Sequence, residues 1–396
     1  MAVADLASRR GPIMLSAGEA SGDLHGATLC RALRELEPGV RLLGMGGSHM
    51  RAAGMEVLLD PTAHAAVGTS EAIGRIPALY RAYRTLAARL VAERPRALVL
   101  IDFPEFNLRL ARRARAANVP VVYFIPPQLW AWRRGRIRQM AHRVSRVLAV
   151  FPFEPPLYEG AGVPVEFVGH PLLDVLPPGL DRSRARLGLG IEPDLSVVGL
   201  FPGSRREEIL RLLPAMLDAA RRLVAPAEPA LPSTPRFALG LAPSVDRRLV
   251  EDLLAAAAHA GGPPVEILEH RTYELMAASD AILIASGTAT LEAALLGTPM
   301  VVCYRVSRFT AVVSRLLIRI PRISLPNIVA GRDVVPELLQ EEVTGTRLVH
   351  EARRLLAEPG IAAAQRAAFG ELRGRLGEPG VGRRAARAVL ASARAA

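Results

Sequence analysis

The chain has 396 residues, half of them hydrophobic, and a formal net charge of +12 in which every lysine-or-arginine position is arginine. That length and apolar content admit two ordinary domains with cores of their own and exclude a disordered chain. Two cysteines, Cys30 and Cys303, exclude a disulfide framework and point to a reducing compartment, and no signal peptide or uncharged run of membrane-spanning length is expected.

Short apolar runs alternate with helical patterns along the whole chain. Strands are expected at 12–17, 41–45, 97–102, 119–125, 146–151 and 165–169. Between the second and third, Leu79, Tyr83, Leu86 and Leu90 fall on one helical face, with Arg81 and Arg84 on the other. The Pro-Pro-Gly stretch within 170–194 breaks the rhythm, and 176–194 reads as a linker. Strands resume at 196–204, 236–242, 264–268, 281–286 and 299–304, with a surface loop at 226–235. Runs apolar on both faces, each followed by a helix, predict parallel sheets covered on both sides. The fold class expected is therefore α/β. Residues 1–175 form one doubly wound domain, 195–355 a second, and 356–396 an Arg/Ala-rich helical tail. Open parallel sheets bind ligands beyond the carboxyl ends of their strands, so the crevice between two such domains is the expected site.

Four segments carry chemistry. In "LFPGSRREEI" (200–209) a strand leads through Gly203 and Ser204 into a helix. Glycine permits close backbone approach, Ser204 with Glu207 fits a capping box, and Arg205 sits where a diphosphate would meet the positive helix end. The same pattern also reads as an ordinary capped turn. "IASGTATLEAALLGTPMVV" (284–302) repeats the plan: Ser286, Gly287, Thr288, Ala289 and Thr290 offer N–H groups and hydroxyls to phosphate, and Glu292 a carboxylate to a ribose. "MLSAGEASGD" (14–23) lacks the dinucleotide fingerprint, and its two carboxylates would repel a phosphate. Gly18, Glu19 and Ser21 suit a hydroxyl-bearing acceptor instead, while Asp23 also reads as a cap of the helix running to Leu36. In "ALVLIDFPEFN" (97–107), Asp102 ends a hydrophobic strand, where burial would raise its pKa and make it a better base; it also reads as a turn anchor. Glu105 and Asn107 follow on the loop.

Together with "LWAWR" (129–133), "VGHPLLD" (168–174) and "SLPNIVAGRDVVPELLQEE" (324–342), these segments resemble, in order, the lipid-A-disaccharide synthase family. The resemblance spans residues 16–342 and implies a GT-B architecture, two Rossmann-like domains facing a central cleft. It implies an inverting glycosyltransferase that joins a UDP-linked 2,3-diacylglucosamine to 2,3-diacylglucosamine 1-phosphate and releases UDP. By the same resemblance Asp102 is the candidate base on the acceptor's 6-hydroxyl and Arg205 lies at the diphosphate. Asn327 and Glu292 fall on the nucleotide side, Gly18, Ser21, Asn107 and Glu71 on the acceptor side, and Glu19, on the cleft face of the first domain, counts with Asp102 and Arg205 as a catalytic candidate. The segment "AVGTSEAIG" (66–74) departs from the family's usual Met-Gly-x-x-Glu-Val: Gly68 and Glu71 remain, but Ala72 replaces valine.

No cofactor or metal is expected: there is no Asp-x-Asp pair, and the eight histidines show no ligand spacing. His170 reads as a loop hydrogen-bonding residue. Fatty substrates imply a cytoplasmic protein held peripherally on the anionic inner-membrane surface. "RFTAVVSRLLIRIPRIS" (308–324) and "LWAWRRGRIRQM" (129–140), with Trp130 and Trp132, are the candidate contacts, core packing being the other reading. Dispersed arginines and few aromatics argue against nucleic acid. A UDP-N-acetylglucosamine epimerase of the same architecture, and a non-catalytic nucleotide or nucleic-acid binder, are the rival readings. Acceptor-dependent release of UDP would separate all three.

Overall fold

The runs Ile13–Ala17, Ala97–Ile101, Val197–Phe201 and Ala281–Ala285 are buried at every position. A strand with no wet face must be central, and the two sheets are arranged around these four. The computed structural model describes residues 11–61, 75–129, 134–226, 230–231, 233–307 and 321–394. The chain divides into two compact units, one running to Val175 and including Leu376–Ala396, the other Leu176–Arg375.

In the first unit the strands are β1 (Ile13–Ala17), β2 (Leu42–Met45), β3 (Glu56–Leu59), β4 (Ala97–Ile101), β5 (Val121–Phe124), β6 (Arg146–Ala149) and β7 (Val165–Phe167). They form one parallel sheet in the order β3-β2-β1-β4-β5-β6-β7. The helices are α1 (Ala20–Leu36), α2 (Ser48–Ala52), α3 (Arg75–Glu93), α4 (Pro104–Ala116), α5 (Ile137–Arg143), α6 (Pro155–Glu159) and α7 (Leu172–Val175). Leu86 and Leu90 of α3 are fully buried, as the 3.6-residue spacing requires.

In the second unit α8 (Arg182–Leu189) precedes β8 (Val197–Phe201), α9 (Arg206–Leu223), β9 (Arg236–Leu241), α10 (Arg247–His259), β10 (Val265–Glu269), α11 (Thr272–Ala278), β11 (Ala281–Ala285) and α12 (Thr288–Leu295). Then come β12 (Met300–Tyr304), α13 (Leu325–Ala330), β13 (Glu337–Leu339), α14 (Gly345–Ala357) and α15 (Pro359–Arg375). The sheet is again all parallel, in the order β10-β9-β8-β11-β12-β13.

Strands β3 and β13 were missed by sequence reading. Both are sheet edges, three or four residues long, and β3 is nowhere fully buried, so neither gives a continuous apolar run. Two boundaries also differ. The stretch read as a linker contains α8, whose buried Arg186 donates to the carbonyls of Ala278, Glu192, Pro193 and Leu195 and pairs with Asp280 at 2.8 Å. A cation with that many acceptors anchors the stretch to the second unit. The stretch read as one helical tail is divided: α15 belongs to the second unit, whereas α16 (Val381–Arg394) returns to the first and packs on α1. Asp174 fixes that return by accepting the N–H groups of Gly380 (2.6 Å) and Gly382 (2.8 Å), and Arg384 donates to the Val168 carbonyl at 2.9 Å.

Candidate active site

Each sheet reverses its strand succession once, between β1 and β4 in the first unit and between β8 and β11 in the second. At such a point the loops leaving the two strands diverge and leave room for a ligand beyond their carboxyl ends. The four motif segments follow these four strands, two at the switch point of each unit.

In the first unit Asp102 is the residue after β4. Asp102 and Phe103 both take left-handed backbone (φ 47° and 48°), as does Ile125 after β5 (φ 58°). Aspartate tolerates this region, but a β-branched residue there is an outlier, and such positions cost on the order of 1–3 kcal/mol each. The surroundings hold them in place. The Asp102 N–H donates to the Ile125 carbonyl at 3.3 Å, and the Asp102 carbonyl accepts from Asn107 Nδ2 and Tyr123 Oη, both at 2.7 Å. Asn107 is fully buried. Its Nδ2 also reaches the carbonyls of Ser16 and Ile101 at 3.2 Å, and its Oδ1 accepts the Ser16 hydroxyl at 2.7 Å. One amide thus ties the end of β1 to the end of β4. Expected on the acceptor side, Asn107 instead has its polar atoms spent on the scaffold and positions Asp102.

Burial, with the charge of Glu19 second, pushes the Asp102 carboxyl up to about 6, against the opposing pull of the Phe103 N–H. Glu19 is exposed at the N-terminus of α1, and Ser21 is half-buried in its first turn. Gly18 is required by the Phe103 ring, into which a Cβ at this position would run. Asp23 does not cap its own helix. Its buried carboxylate accepts the N–H groups of Gly47 (2.7 Å), His49 (3.0 Å) and Met50 (3.1 Å), and so caps α2. His170 accepts the Leu172 N–H on Nδ1 at 3.3 Å, within its loop. Glu71, Trp130, Trp132 and residues 308–320 lie outside the described residues.

In the second unit Gly203 follows β8 with φ 118°, and a Cβ there would strike the Glu208 side chain. The helix begins one residue later than expected, with Arg205 rather than Ser204 as N-cap, so the capping carboxylate is Glu208 rather than Glu207. Glu208 Oε2 accepts the N–H groups of Ser204 at 2.9 Å and Arg205 at 3.3 Å, while Glu207 pairs with Arg211 at 2.7 Å. The Arg205 guanidinium, 69% exposed, lies 3.5 Å from Glu208. Ser244, from the loop after β9, donates to the Ser204 carbonyl at 2.7 Å.

After β11, the Ser286 N–H donates to the Cys303 carbonyl at 2.8 Å, and Gly287 caps α12 with open space above it. Thr288 is exposed and Ala289 half-buried. Thr290 is buried, its hydroxyl donating to the Gly287 carbonyl at 2.7 Å, so it supports the turn rather than facing a ligand. Burial pushes the Glu292 carboxyl up to about 7. Asn327, expected on the nucleotide side, is buried. Its Nδ2 donates to the Val335 carbonyl (2.9 Å) and Glu337 (2.8 Å), and its Oδ1 accepts from Val334 (2.7 Å) and Val335 (3.0 Å). Glu337, which sequence reading passed over, accepts the N–H groups of Ile323 and Ser324, both at 2.9 Å, and the Ser324 hydroxyl at 2.6 Å. The Ser286 hydroxyl donates to the Ile323 carbonyl at 3.4 Å, which joins this network to the β11 turn.

A family model described as lipid-A-disaccharide synthetase matches residues 13–378. The chain belongs to the lipid-A-disaccharide synthase family. This is a family of glycosyltransferases of lipid A biosynthesis, which take a UDP-sugar donor and a sugar-phosphate acceptor. The synthases of Geobacter metallireducens and Myxococcus xanthus are 45% and 42% identical over 378 residues, covering 96% of this chain and 96% of each relative. The fold is shared more widely. A putative UDP-N-acetylglucosamine 2-epimerase from Listeria monocytogenes superposes with a TM-score of 0.65 at 14% identity, over 98% of this chain and 96% of its own. A UDP-GlcNAc 2-epimerase from Neisseria meningitidis bound to UDP-GlcNAc gives 0.61 at 15% identity, over 92% and 97%. These likenesses establish the GT-B type of fold, two parallel-sheet α/β domains; the synthase family, not the epimerases, is where the sequence belongs.

Proposed function

We propose that this chain joins UDP-2,3-diacylglucosamine to 2,3-diacylglucosamine 1-phosphate, giving the β-1,6-linked disaccharide 1-phosphate and UDP. The acceptor's 6-oxygen attacks the donor's anomeric carbon as the bond from that carbon to the UDP oxygen breaks. Asp102 takes the hydroxyl proton. The leaving diphosphate gains the charge, which Arg205 and the N–H groups of Gly203, Gly287 and Thr288 stabilise, joined by those of Ser204 and Arg205 once Glu208 gives way. The observation that carries this reading is the place of Asp102, at the carboxyl end of β4 on the first sheet's switch point, where burial lifts its carboxyl to about 6. It is ionised at neutral pH yet basic enough to accept a proton in the transition state. Glu292 suits the ribose hydroxyls, and Glu19 with Ser21 the acceptor's. The deciding experiment mixes the protein with UDP-diacylglucosamine and follows UDP. Release only when the lipid acceptor is added supports transfer. Release without it, or an epimerised donor, overturns it.

No helix among the described residues is long and apolar enough to cross a membrane. Because both substrates carry fatty chains, we place the chain peripherally on the anionic cytoplasmic face of the inner membrane, through its arginine-rich apolar segments. Salt-sensitive sedimentation with anionic vesicles is the expected result. No binding at any salt concentration would remove the proposal.

A further inference from the structure

Within the first unit a cavity of about 790 Å³ opens among α3, α4, α5 and the 3-10 turn Arg134–Arg136, inside the ~300–1,000 Å³ range of ligand pockets. Its wall is a continuous aromatic surface. Phe103 stacks on Phe106 with ring centroids 5.5 Å apart, and Tyr83 meets Phe106 edge-on at 6.4 Å. Leu79 and Leu108 extend the apolar lining, and Tyr80, 60% exposed, stands at the rim.

Four arginines line the same cavity, and they are not equivalent. Arg136 is neutralised by Glu105 at 2.7 Å, and Arg143 donates to the Leu108 carbonyl at 3.1 Å. Arg109 and Arg112, three residues apart on one face of α4, have no hydrogen-bond or ion-pair partner among the described residues. An apolar trough edged by two uncompensated guanidinium groups complements a molecule with an alkyl chain and an anionic head. Asp102 does not line the trough itself but is the residue before its Phe103 wall, with which it shares a left-handed backbone.

We propose that this cavity is the acceptor's lipid-phosphate subsite, with an acyl chain lying along Tyr83, Phe106 and Phe103 and the phosphate held by Arg109 and Arg112. The inference rests on the reading of the acceptor as an acylated sugar phosphate and says which part of the chain holds it. Specificity for an acylated acceptor then comes from the first unit alone, beside the base.

The test measures binding of dodecyl phosphate, kept below its critical micelle concentration, to the full chain by calorimetry. UDP binding and the acceptor KM are measured alongside. The Arg109→Glu/Arg112→Glu double variant changes exposed residues only and is expected to weaken dodecyl phosphate at least tenfold. UDP affinity should stay unchanged and the acceptor KM should rise. Gln139→Trp, which fills the cavity from an exposed lining position, is expected to weaken it as well. Three results would overturn the inference: equal affinity for uncharged dodecyl maltoside, complete competition by inorganic phosphate at the same affinity, or loss of vesicle binding with monomer binding intact. The last would make the cavity a bilayer contact. Residue-dependent binding of dodecyl phosphate without any disaccharide product would sink the proposed reaction and leave the subsite standing. A wild-type acceptor KM in the double variant would do the reverse.

Discussion

The two switch points share a topology and differ in how they treat charge. In the first unit the carboxylate proposed as base, Asp102, is withdrawn from water and feels the charge of Glu19, so its proton affinity rises. In the second unit the cation proposed for the diphosphate, Arg205, is exposed, and the turn beneath it already binds an anion, the Glu208 carboxylate on the N–H groups of Ser204 and Arg205. Backbone strain follows the same division. Two consecutive non-glycine residues in the left-handed region aim Asp102, whereas a single glycine is enough at the 203 turn. In the proposed reaction one sheet end would hold a proton and the other receive a phosphate, and the same strand order would support both.

The strongest way to break this comparison is Asp102→Asn. Removing a general base typically costs about 10²–10⁴-fold in turnover, and UDP affinity should not change, because the groups proposed to hold UDP all belong to the second unit and Asp102 to the first. Loss of UDP binding would make Asp102 structural. The wild-type kcat/KM should rise with pH through about 6 and level off above, since only the ionised carboxylate accepts a proton. The stability effect has the opposite sense. A carboxyl whose folded pKa is raised destabilises the native state above that pKa and not below the unfolded value near 4. Asp102→Asn should therefore melt higher than wild type at pH 8 and alike at pH 4.

Arg205→Ala comes next. Loss of one preorganised donor to a developing charge costs about 10²–10³-fold, or roughly 3 kcal/mol. Here UDP affinity should fall together with turnover, the pattern Asp102→Asn does not give. Wild-type turnover in this variant would remove Arg205 from the site.

A smaller effect separates the two buried asparagines. Asn107→Ala leaves the Ser16 hydroxyl and several carbonyls short of a partner, a cost of about 1–3 kcal/mol for each group left unsatisfied. It should lower kcat while UDP binding persists. Asn327→Ala disturbs the Glu337 network behind the β11 turn and should raise the Kd for UDP instead. Identical effects on both readouts would mean that the two amides serve stability alone.

The strands at the switch points were legible in the sequence because central strands of parallel sheets are apolar throughout, and the motifs were legible because they follow those strands. Edge strands β3 and β13 were not, since a half-wet run of three or four residues leaves no period to read. Residue types at the sites were legible, but roles were not. Nothing in "EFN" or "LPN" says that Asn107 and Asn327 turn inward, because an amide that serves a ligand and one that clamps a loop look alike until their partners are known. Glu207 and Glu208 are adjacent, and a one-residue shift of the helix start decided which of them caps.

That shift carries the smallest of the expected effects. Glu208 places a negative charge on the N–H groups that a diphosphate needs, so part of the ligand's binding energy goes into displacing it. Glu208→Gln keeps an acceptor oxygen for the cap and removes the charge. Its UDP affinity should rise by about threefold, within the ~0.3–1 kcal/mol range of a charge at a helix terminus, with Asp102-dependent chemistry untouched. A weaker affinity would mean that the carboxylate orders the turn more than it competes for it, and the 203–205 turn would then be organised by its own anion rather than poised for a foreign one.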